Sequence, residues 1–409
     1  MTQKTQKTNL TKRWLILASG VATMLFAGII YAWSILKAPF AQELGYEASA
    51  LALNFTLTMC FFCLGGFISG QLVRRIGTRA TIIIAGLLAG LGFVLTSFIS
   101  STNVIFLYLT YALLAGSGIG IAYIVIISTV NSWFPDRRGL SSGALMMGFG
   151  ASTLLLGKIA DLLFNSNVGW RKTFVAIGCC IAAVVVLSSL VIKAPDASVE
   201  LPQKKKSARA NQEDFELRDY TPAEMVRRFT FWRAFFALVC LTAAGSSVIS
   251  FAKDLALSVG AQATLATTLV GVLAVCNGLG RIITGAVFDA LGRRFTMISA
   301  SILTIAATGI TLLAVSISSL PLCIVGLCLT GLSYGTSPTV SSAFTSAFYG
   351  QKHFATNLSI SNFNLMVASF IATACSSLQT ASGGYVAPFI LLLSLSAVAL
   401  ALNISIKKP

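Results

Sequence analysis

Two related stretches of this sequence decide its fold: GAVFDALGRR at residues 285–294 and GQLVRRIGTR at residues 70–79. Each is a short polar segment that separates two long apolar runs. Gly70 and Gly77 of one stretch correspond to Gly285 and Gly292 of the other, and the same offset in the numbering superimposes Gly116 on Gly331. This agreement indicates that the chain consists of two related halves, and it predicts the same local structure at both stretches.

Long apolar segments dominate the rest of the sequence. The chain has 409 residues, of which 56% are hydrophobic and 10% are charged, whereas soluble domains carry about 25% charged residues. A helix needs about 20 apolar residues to cross a bilayer. This length predicts twelve spans, at residues 14–37, 48–71, 79–100, 104–133, 139–163, 170–193, 230–252, 264–290, 295–316, 319–347, 354–380 and 384–406. We therefore predict a six-helix bundle at 1–193, a linker at 194–229 and a second six-helix bundle at 230–409.

The basic residues are distributed according to membrane topology. The net charge is +16, and most of the 29 Lys and Arg residues fall in loops that would share one side of the membrane with the linker. The opposite side has few: Lys37, Lys158, Arg171, Lys172 and Lys253. The positive-inside rule then places both termini and the linker in the cytoplasm. We expect a monomer in a bacterial or archaeal plasma membrane, with the lipid bilayer rather than nucleic acid as its surroundings.

The GAVFDALGRR stretch resembles the signature loop of the major facilitator superfamily, and the resemblance covers essentially the whole chain. It implies an all-α integral membrane protein with twelve transmembrane helices in two pseudo-symmetric six-helix bundles, which works by alternating access. In that superfamily an acidic residue, here Asp289, latches cytoplasmic helix ends together. The first copy departs from the pattern because Arg74 occupies the acidic position. Other residues expected to take part in gating are Arg75, Arg137, Arg138, Arg293, Arg294 and, at the outer end of the first span, Lys37.

Five further segments narrow the resemblance to one branch of the superfamily. They are YAWS at 31–34, WFPDRRG at 133–139, GWR at 169–171, FW at 231–232 and Asn277-x-x-x-Arg281. Together they resemble the branch that contains oxalate/formate antiporters and monocarboxylate transporters. This resemblance implies that three tyrosines line the substrate site: Tyr31, Tyr123 and Tyr334. The alternative for each is ordinary packing, with its hydroxyl on a backbone carbonyl.

Arg281 is the leading candidate for binding an anion. It lies in an otherwise apolar run from Leu265 to Val287, about 12 Å along the helix axis from Asp289. An arginine at that depth costs about 2.5–3.5 kcal/mol or more, so it needs a counter-ion. No Asp or Glu occurs in the core of any predicted span, which favours a mobile carboxylate over a protein carboxylate. The guanidinium fits a carboxylate with two parallel hydrogen bonds, and Asn277 lies one turn away on the same face.

Four residues are additional candidates for the site. Leu145 and Met146 in the fifth span could form an apolar wall for the alkyl part of a substrate, although plain packing is the commoner role of such residues. Phe363 and Asn364 in the eleventh span could contribute an aromatic face and a hydrogen-bonding amide. These four positions complete the predicted site.

A single buried positive charge favours a monoanion. Oxalate-exchanging members of the branch carry a second basic residue in the eleventh span, near Leu365 here, and no Lys or Arg lies between His353 and Lys407. A monoanion neutralises Arg281 one to one, whereas a dianion would leave a buried net charge, which is costly. We therefore predict a monocarboxylate such as lactate or pyruvate, with oxalate/formate-type exchange as the alternative.

Proton-coupled symport is the predicted mode of transport. Animal monocarboxylate carriers place an aspartate four residues before the arginine, but Asn277 occupies that position and cannot titrate. The sole histidine, His353, lies in a loop. A transported proton would therefore travel on the substrate carboxylate, on water or on a group near the surface.

Other classes of protein fit less well. GLSSG at 139–143 matches the G-x-S-x-G motif of hydrolases, but that motif requires a strand-to-helix turn with an acid and a histidine, so we expect no enzyme. The nine cysteines lie in apolar runs, and Cys60-x-x-Cys63 has no second pair, so we expect no metal and no cofactor. A sensor of the same fold that does not transport stays open as an alternative.

Overall fold

The computed structural model describes residues 3–100, 102–195, 199, 201–202 and 219–406. The linker residues 203–218 and the side chain of Arg138 lie outside the described residues. Within the described part, the chain folds into α-helices, short 3-10 and π-helical segments and the turns that connect them. The predicted all-α fold is confirmed.

The described residues form twelve helices that are long and apolar enough to cross a membrane. The described residues contain ten apolar helical elements of sufficient length, but two of these hold 49 and 54 residues, more than twice what a hydrocarbon core of about 30 Å requires. Each long element is broken once, at Gly77 and at Gly292. The crossings are therefore α1 (Thr11–Gln42), α2 (49–76), α3 (78–97), α4 (Ile105–Ser132), α5 (Gly139–Phe164), α6 (Gly169–Ser188), α7 (Phe229–Ser258), α8 (263–291), α9 (293–316), α10 (Leu320–Tyr349), α11 (Phe354–Ser382) and α12 (Val386–Ser405).

The two breaks have the same backbone conformation. Gly77 has φ 80° and ψ 165°, and Gly292 has φ 79° and ψ 179°. Glycine adopts positive φ without the steric penalty that other residues meet. In each copy the threonine four residues later, Thr81 or Thr296, donates its hydroxyl to the glycine carbonyl at 2.7 or 2.8 Å. Residues 70–79 and 285–294 thus form the same turn.

Glycines bring the second and fourth helices of each half into backbone contact. A methyl group added at Gly120 would lie 2.0 Å from the carbonyl oxygen of Phe62, and one added at Gly335 would lie 2.2 Å from that of Asn277. These two pairs are related by the same offset that relates Gly77 to Gly292. The same correspondence holds for two more contacts, Gly65 with Ser117 against Gly280 with Leu332, and Gly116 with Thr58 against Gly331 with Leu273. This repeated packing places α8, which carries Arg281, directly against α10.

The halves meet along two seams, α5 with α8 and α2 with α11. In the first seam a methyl group at Gly285 would lie 2.5 Å from the carbonyl oxygen of Gly139. In the second, the hydroxyls of Thr56 and Thr373 are hydrogen-bonded at 2.9 Å. We call the side of the membrane that holds Gly139, Gly285 and residues 219–228 the linker side, and the opposite side the far side.

The described end of the linker is attached to the second bundle. Residues Pro222–Val226 form a short helix whose N-terminus is closed by a capping box. Asp219 accepts hydrogen bonds from the backbone N–H groups of Gln351 at 2.8 Å and Lys352 at 3.1 Å. The Lys352 bond is the largest of the influences that hold the pKa of Asp219 below its usual value. The predicted division of the chain at residues 193, 229 and 230 stays a prediction.

The glycine contacts predict a difference between two alanine substitutions. Gly120→Ala should lower the thermal unfolding temperature in detergent, because the methyl group must push α4 away from α2; overpacking of this kind costs about 1–3 kcal/mol. Gly384→Ala is the matched control, since nothing lies within 4 Å of a methyl group there. Equal unfolding temperatures for the two variants would contradict the assigned helix contact.

Candidate substrate site

Arg281 is fully buried at the centre of the molecule. The residue is 1% exposed, and its side chain lies between α8 and α5. Its Nε donates to Oδ1 of Asn277 at 3.1 Å, and its Nη1 donates to the carbonyl oxygen of Met146 at 2.6 Å. The predicted pairing of Arg281 with Asn277 along one helix face is therefore present, and α5 supplies a main-chain acceptor that we did not predict.

No protein carboxylate pairs with this guanidinium in the described part of the chain. The salt bridges found there at the first bundle join Asp136 to Arg13 and Arg137, on the linker side. A guanidinium has five N–H donors, and the two hydrogen bonds of Arg281 both go to uncharged oxygens. The site thus contains a desolvated positive charge with donors to spare, which is the chemistry that an oxyanion requires.

The three predicted tyrosines gather around Arg281. Tyr31 lines the same cavity as Asn277, the hydrogen-bond partner of Arg281. The hydroxyls of Tyr31 and Tyr334 are 3.4 Å apart, so α1 of the first half and α10 of the second meet there. The rings of Tyr31 and Tyr123 both pack edge-on against Phe149, with centroids 5.2 Å away in each case. Phe149 is the centre of this cluster, and sequence reasoning missed it.

Local departures from α-helix position some of these groups. Tyr31 lies in a 3-10 segment, Gly28–Ala32, that interrupts α1. In α5 a π-helical segment, Thr153–Gly157, follows Phe149 by one turn. Such segments often occur at functional sites because they redirect side chains. Hydropathy predicted uninterrupted spans and did not indicate these 3-10 and π-helical segments.

A glycine in α7 allows Tyr334 to reach the centre. A methyl group on Gly245 would lie 2.1 Å from Cδ2 of Tyr334. No side chain larger than hydrogen fits there unless the ring moves. Thr339, one turn further along α10, donates weakly to the carbonyl oxygen of Arg281 at 3.4 Å. The structure therefore adds Gly245 and Thr339 to the site.

The other four predicted residues lie near the site but have different contacts. Leu145 packs against Gly20 of α1, and the backbone carbonyl of Met146 accepts the hydrogen bond from Arg281. Asn364 accepts from the hydroxyl of Thr242 at 3.0 Å, within a polar network of the second half. The ring of Phe363 lies against Phe67, across the α2–α11 seam. No contact of Leu145, Phe363 or Asn364 with Arg281 is found among the described residues.

The predicted gating residues occupy different environments. A methyl group on Gly139, at the start of α5, would lie 2.6 Å from Oδ2 of Asp289, so the Asp289 carboxylate sits at the positive end of that helix. The guanidinium of Arg293 lies 4.5 Å above the ring of Phe348. The remaining described residues of this set are exposed or half-buried at the two membrane faces: Arg74, Arg75, Arg137, Arg294 and Lys37.

A bidentate ion pair on the linker side was also missed. Nη1 and Nη2 of Arg13 donate to the two carboxylate oxygens of Asp136 at 2.9 and 3.3 Å. Arg137 is more loosely placed, with its Nε 3.8 Å from Asp136. The pair joins α1 to the loop between α4 and α5 within the first half. Arg13 was counted in the sequence only as a topological charge.

A cavity of about 20 Å³ lies beside the site, toward the far side of the membrane. It is lined by α1, α5, α7 and α8. Its walls include Tyr31, Gly150, Asn277 and, nearer the far side, Val270. This volume holds about one water molecule. On the linker side of Arg281, α5 and α10 are in contact, and the hydroxyls of Ser142 and Ser342 are 3.2 Å apart. The site is therefore closed toward the linker side in this structure.

The sequence profile described as Major Facilitator Superfamily matches residues 15–252 and 234–408. The chain belongs to this superfamily, whose fold of two six-helix bundles agrees with the arrangement described above. It is a multi-pass membrane protein of a transporter family.

Similar proteins include several organic-anion carriers. An uncharacterized transporter of the superfamily from Escherichia coli (strain K12), YhjX, is 28% identical over 85% of this chain and 83% of its own length. The oxalate:formate antiporter of Oxalobacter formigenes is 29% identical over 70% of this chain and 66% of its own length. Mouse monocarboxylate transporter 12 is 31% identical over 43% and 35%. The chain thus matches less than two thirds of the length of these last two proteins.

Solved structures show the same fold at low sequence identity. The proton:xylose symporter XylE superimposes with a TM-score of 0.74 at 13% identity, over 98% of this chain and 97% of that one. The transporter FucP, in the outward conformation, gives a TM-score of 0.68 at 13% identity, over 97% and 100%. At these identities the likeness concerns the fold alone.

Proposed function

We propose that this protein carries small monocarboxylates, of the lactate and pyruvate type, across the plasma membrane by alternating access, and that Arg281 binds the carboxylate. One observation supports the proposal most: a guanidinium that is 1% exposed has no carboxylate partner among the described residues. Burying an unpaired charge is expensive. A substrate carboxylate would neutralise the charge and use donors that the protein leaves unoccupied.

The surroundings of Arg281 favour a small monoanion. No second basic side chain lines the described cavity, so a dianion would be only half neutralised. The position near Leu365, where a second basic residue was considered, is apolar and 8% exposed. Tyr31, Tyr123 and Phe149 offer aromatic edges to a short alkyl or keto group. The related oxalate:formate antiporter and monocarboxylate transporters carry organic anions according to their names, which agrees with this substrate class.

Alternating access would proceed from the conformation described above. The cavity beside Arg281 extends toward the far side, whereas contact between α5 and α10 closes the site toward the linker side, so the far side would open first to admit the anion. If the linker side is cytoplasmic, as the distribution of Lys and Arg predicts, the far side faces the exterior. Neutralisation of Arg281 by the anion would then lower the cost of moving the site between the two sides. We expect a monomer to suffice, since each half supplies part of one site.

Proton symport is the proposed coupling, and anion exchange is the second candidate. None of the residues around the cavity is an Asp, Glu or His, so the proton would travel with the substrate or with water. The lack of an acidic residue among the described residues around the cavity also supports exchange. An empty site would have to reorient with an unpaired buried charge, whereas a loaded site would not. The similarity to an oxalate:formate antiporter points in the same direction.

Replacing Arg281 tests the binding role. Arg281→Ala should reduce uptake of labelled lactate into liposomes by about a hundredfold or more, because loss of one partner of a buried charge pair costs about 2–5 kcal/mol. Arg281→Lys should also lose most activity, since lysine keeps the charge but not the planar fork. Lys172→Ala, an exposed far-side residue, is the control. Uptake by Arg281→Ala at the control rate would refute the assignment, provided that both variants elute as folded monomers.

The coupling can be decided by what drives uptake. In liposomes without internal anion, an inward proton gradient should accelerate lactate or pyruvate uptake, because the proton balances the transported charge. Uptake that requires preloaded formate or oxalate, and ignores the proton gradient, would replace symport by exchange. Asn277→Asp should add pH dependence by placing a titratable carboxylate beside Arg281; an unchanged pH profile would exclude this position from coupling.

A further inference from the structure

Another cavity in the described part of the chain lies on the linker side, between the two halves. It has a volume of about 320 Å³, far larger than the space beside Arg281. The first half contributes Arg74, Ser69 and Ser128, and the second half contributes Lys352, His353 and Thr356. None of the described residues that line it is acidic. A basic cavity that is lined by both halves on the linker side can bind anions.

The pseudo-symmetry of the fold indicates what this cavity lacks. Asp289 of the second half sits at the start of α5, against Gly139. The repeat places Arg74 at the position of Asp289, and Phe354, the first residue of α11, at the position of Gly139. The helices still meet here, since a methyl group on Gly70 would lie 2.9 Å from Oγ1 of Thr356. One seam thus has a carboxylate at the start of the helix, whereas the other has a guanidinium and an open cavity.

The side chains that line this cavity suit a bound anion better than direct contacts between the two halves. The hydroxyls of Ser69 and Ser128 already donate to carbonyls of their own helices, at 2.6 and 3.1 Å. Recognition therefore depends on the basic groups and on Thr356. Asp219 lies near Lys352 and stays ionised, because backbone N–H groups lower its pKa, but one carboxylate does not offset the basic groups on both sides of the seam. Without an anion, Arg74 and Lys352 repel each other across it.

We propose that this cavity binds a phosphate-type oxyanion, which links Arg74 of the first half to Lys352 and His353 of the second. The bound anion supplies the negative charge that Asp289 supplies at the other seam, and it holds the linker side closed. The volume admits a phosphate group with its water, at about 30 Å³ per water molecule. A soluble phosphate and the headgroup of an anionic phospholipid present the same chemistry. The site does not depend on which substrate Arg281 binds.

Purified protein in nanodiscs of neutral lipid tests the proposal without transport. Inorganic phosphate should raise the unfolding temperature and slow deuterium uptake at residues 69–74 and 352–358, relative to potassium chloride at equal ionic strength. Arg74→Gln should weaken the apparent phosphate affinity about tenfold or more, since a hydrogen bond to a charged group contributes about 1.5–3 kcal/mol. Arg79→Gln is the matched control, an exposed arginine of the same loop that does not line the cavity.

A second arm distinguishes the two sources of the anion. Nanodiscs that contain phosphatidic acid, without free phosphate, should protect the same segments if a lipid headgroup is the ligand, and again not in Arg74→Gln. Protection in either arm that depends on Arg74 supports the site. Equal stabilisation of wild type and Arg74→Gln, or no protection in both arms, overturns it. Lys352→Gln replaces Arg74→Gln if the latter does not fold, and it should lose the response in the same way.

Discussion

The buried charge of Arg281 is the constraint on which the rest of this structure depends. An arginine at the centre of a span costs about 2.5–3.5 kcal/mol on insertion scales, and among the described residues its hydrogen-bond acceptors are the neutral oxygens of Asn277 and Met146. Met146 belongs to the first half and Arg281 to the second, so the charge is held across the interface between the two halves. Under the proposed function, a mobile anion would be both the ligand and the missing counter-ion, and its arrival would change the energy of the conformations that enclose it.

Close backbone packing makes it possible to hold that charge rigidly. Gly335 brings α10 onto the carbonyl oxygen of Asn277, and Gly245 admits the ring of Tyr334. The backbone contact of Gly335 recurs at the corresponding position of the first half, where Phe62 and Gly66 replace Asn277 and Arg281. The two halves therefore share one scaffold, and the second half alone provides the charged anchor. The first half contributes the aromatic wall around Phe149.

Much of this could be predicted from the sequence, and the remainder has physical reasons. Hydropathy, the repeated loops and the distribution of charge predicted twelve helices, and an apolar run interrupted by one arginine predicted that Arg281 lies inside the membrane without a carboxylate beside it. Leu145 illustrates the limit. Helical periodicity does not show which face of α5 contacts Arg281. The contact is made by the backbone carbonyl of Met146, and a pattern of side chains cannot reveal a backbone contact. Phe149 was missed because a phenylalanine in an apolar span has no distinguishing pattern, although its neighbour Gly150 lies beside the guanidinium of Arg281. For the cavity at Arg74, the sequence showed only that an arginine occupies the position of the acidic residue Asp289 in the other copy.

The central claim is that charge pairing with Arg281, rather than shape, selects the substrate. It is tested most directly by calorimetric titration of the wild-type protein in nanodiscs with lactate and with lactamide, its neutral analogue of nearly the same shape. Our account predicts that lactate binds at least about tenfold more tightly, because only the carboxylate forms charge-assisted hydrogen bonds with the guanidinium. Equal affinities for the two compounds would contradict it.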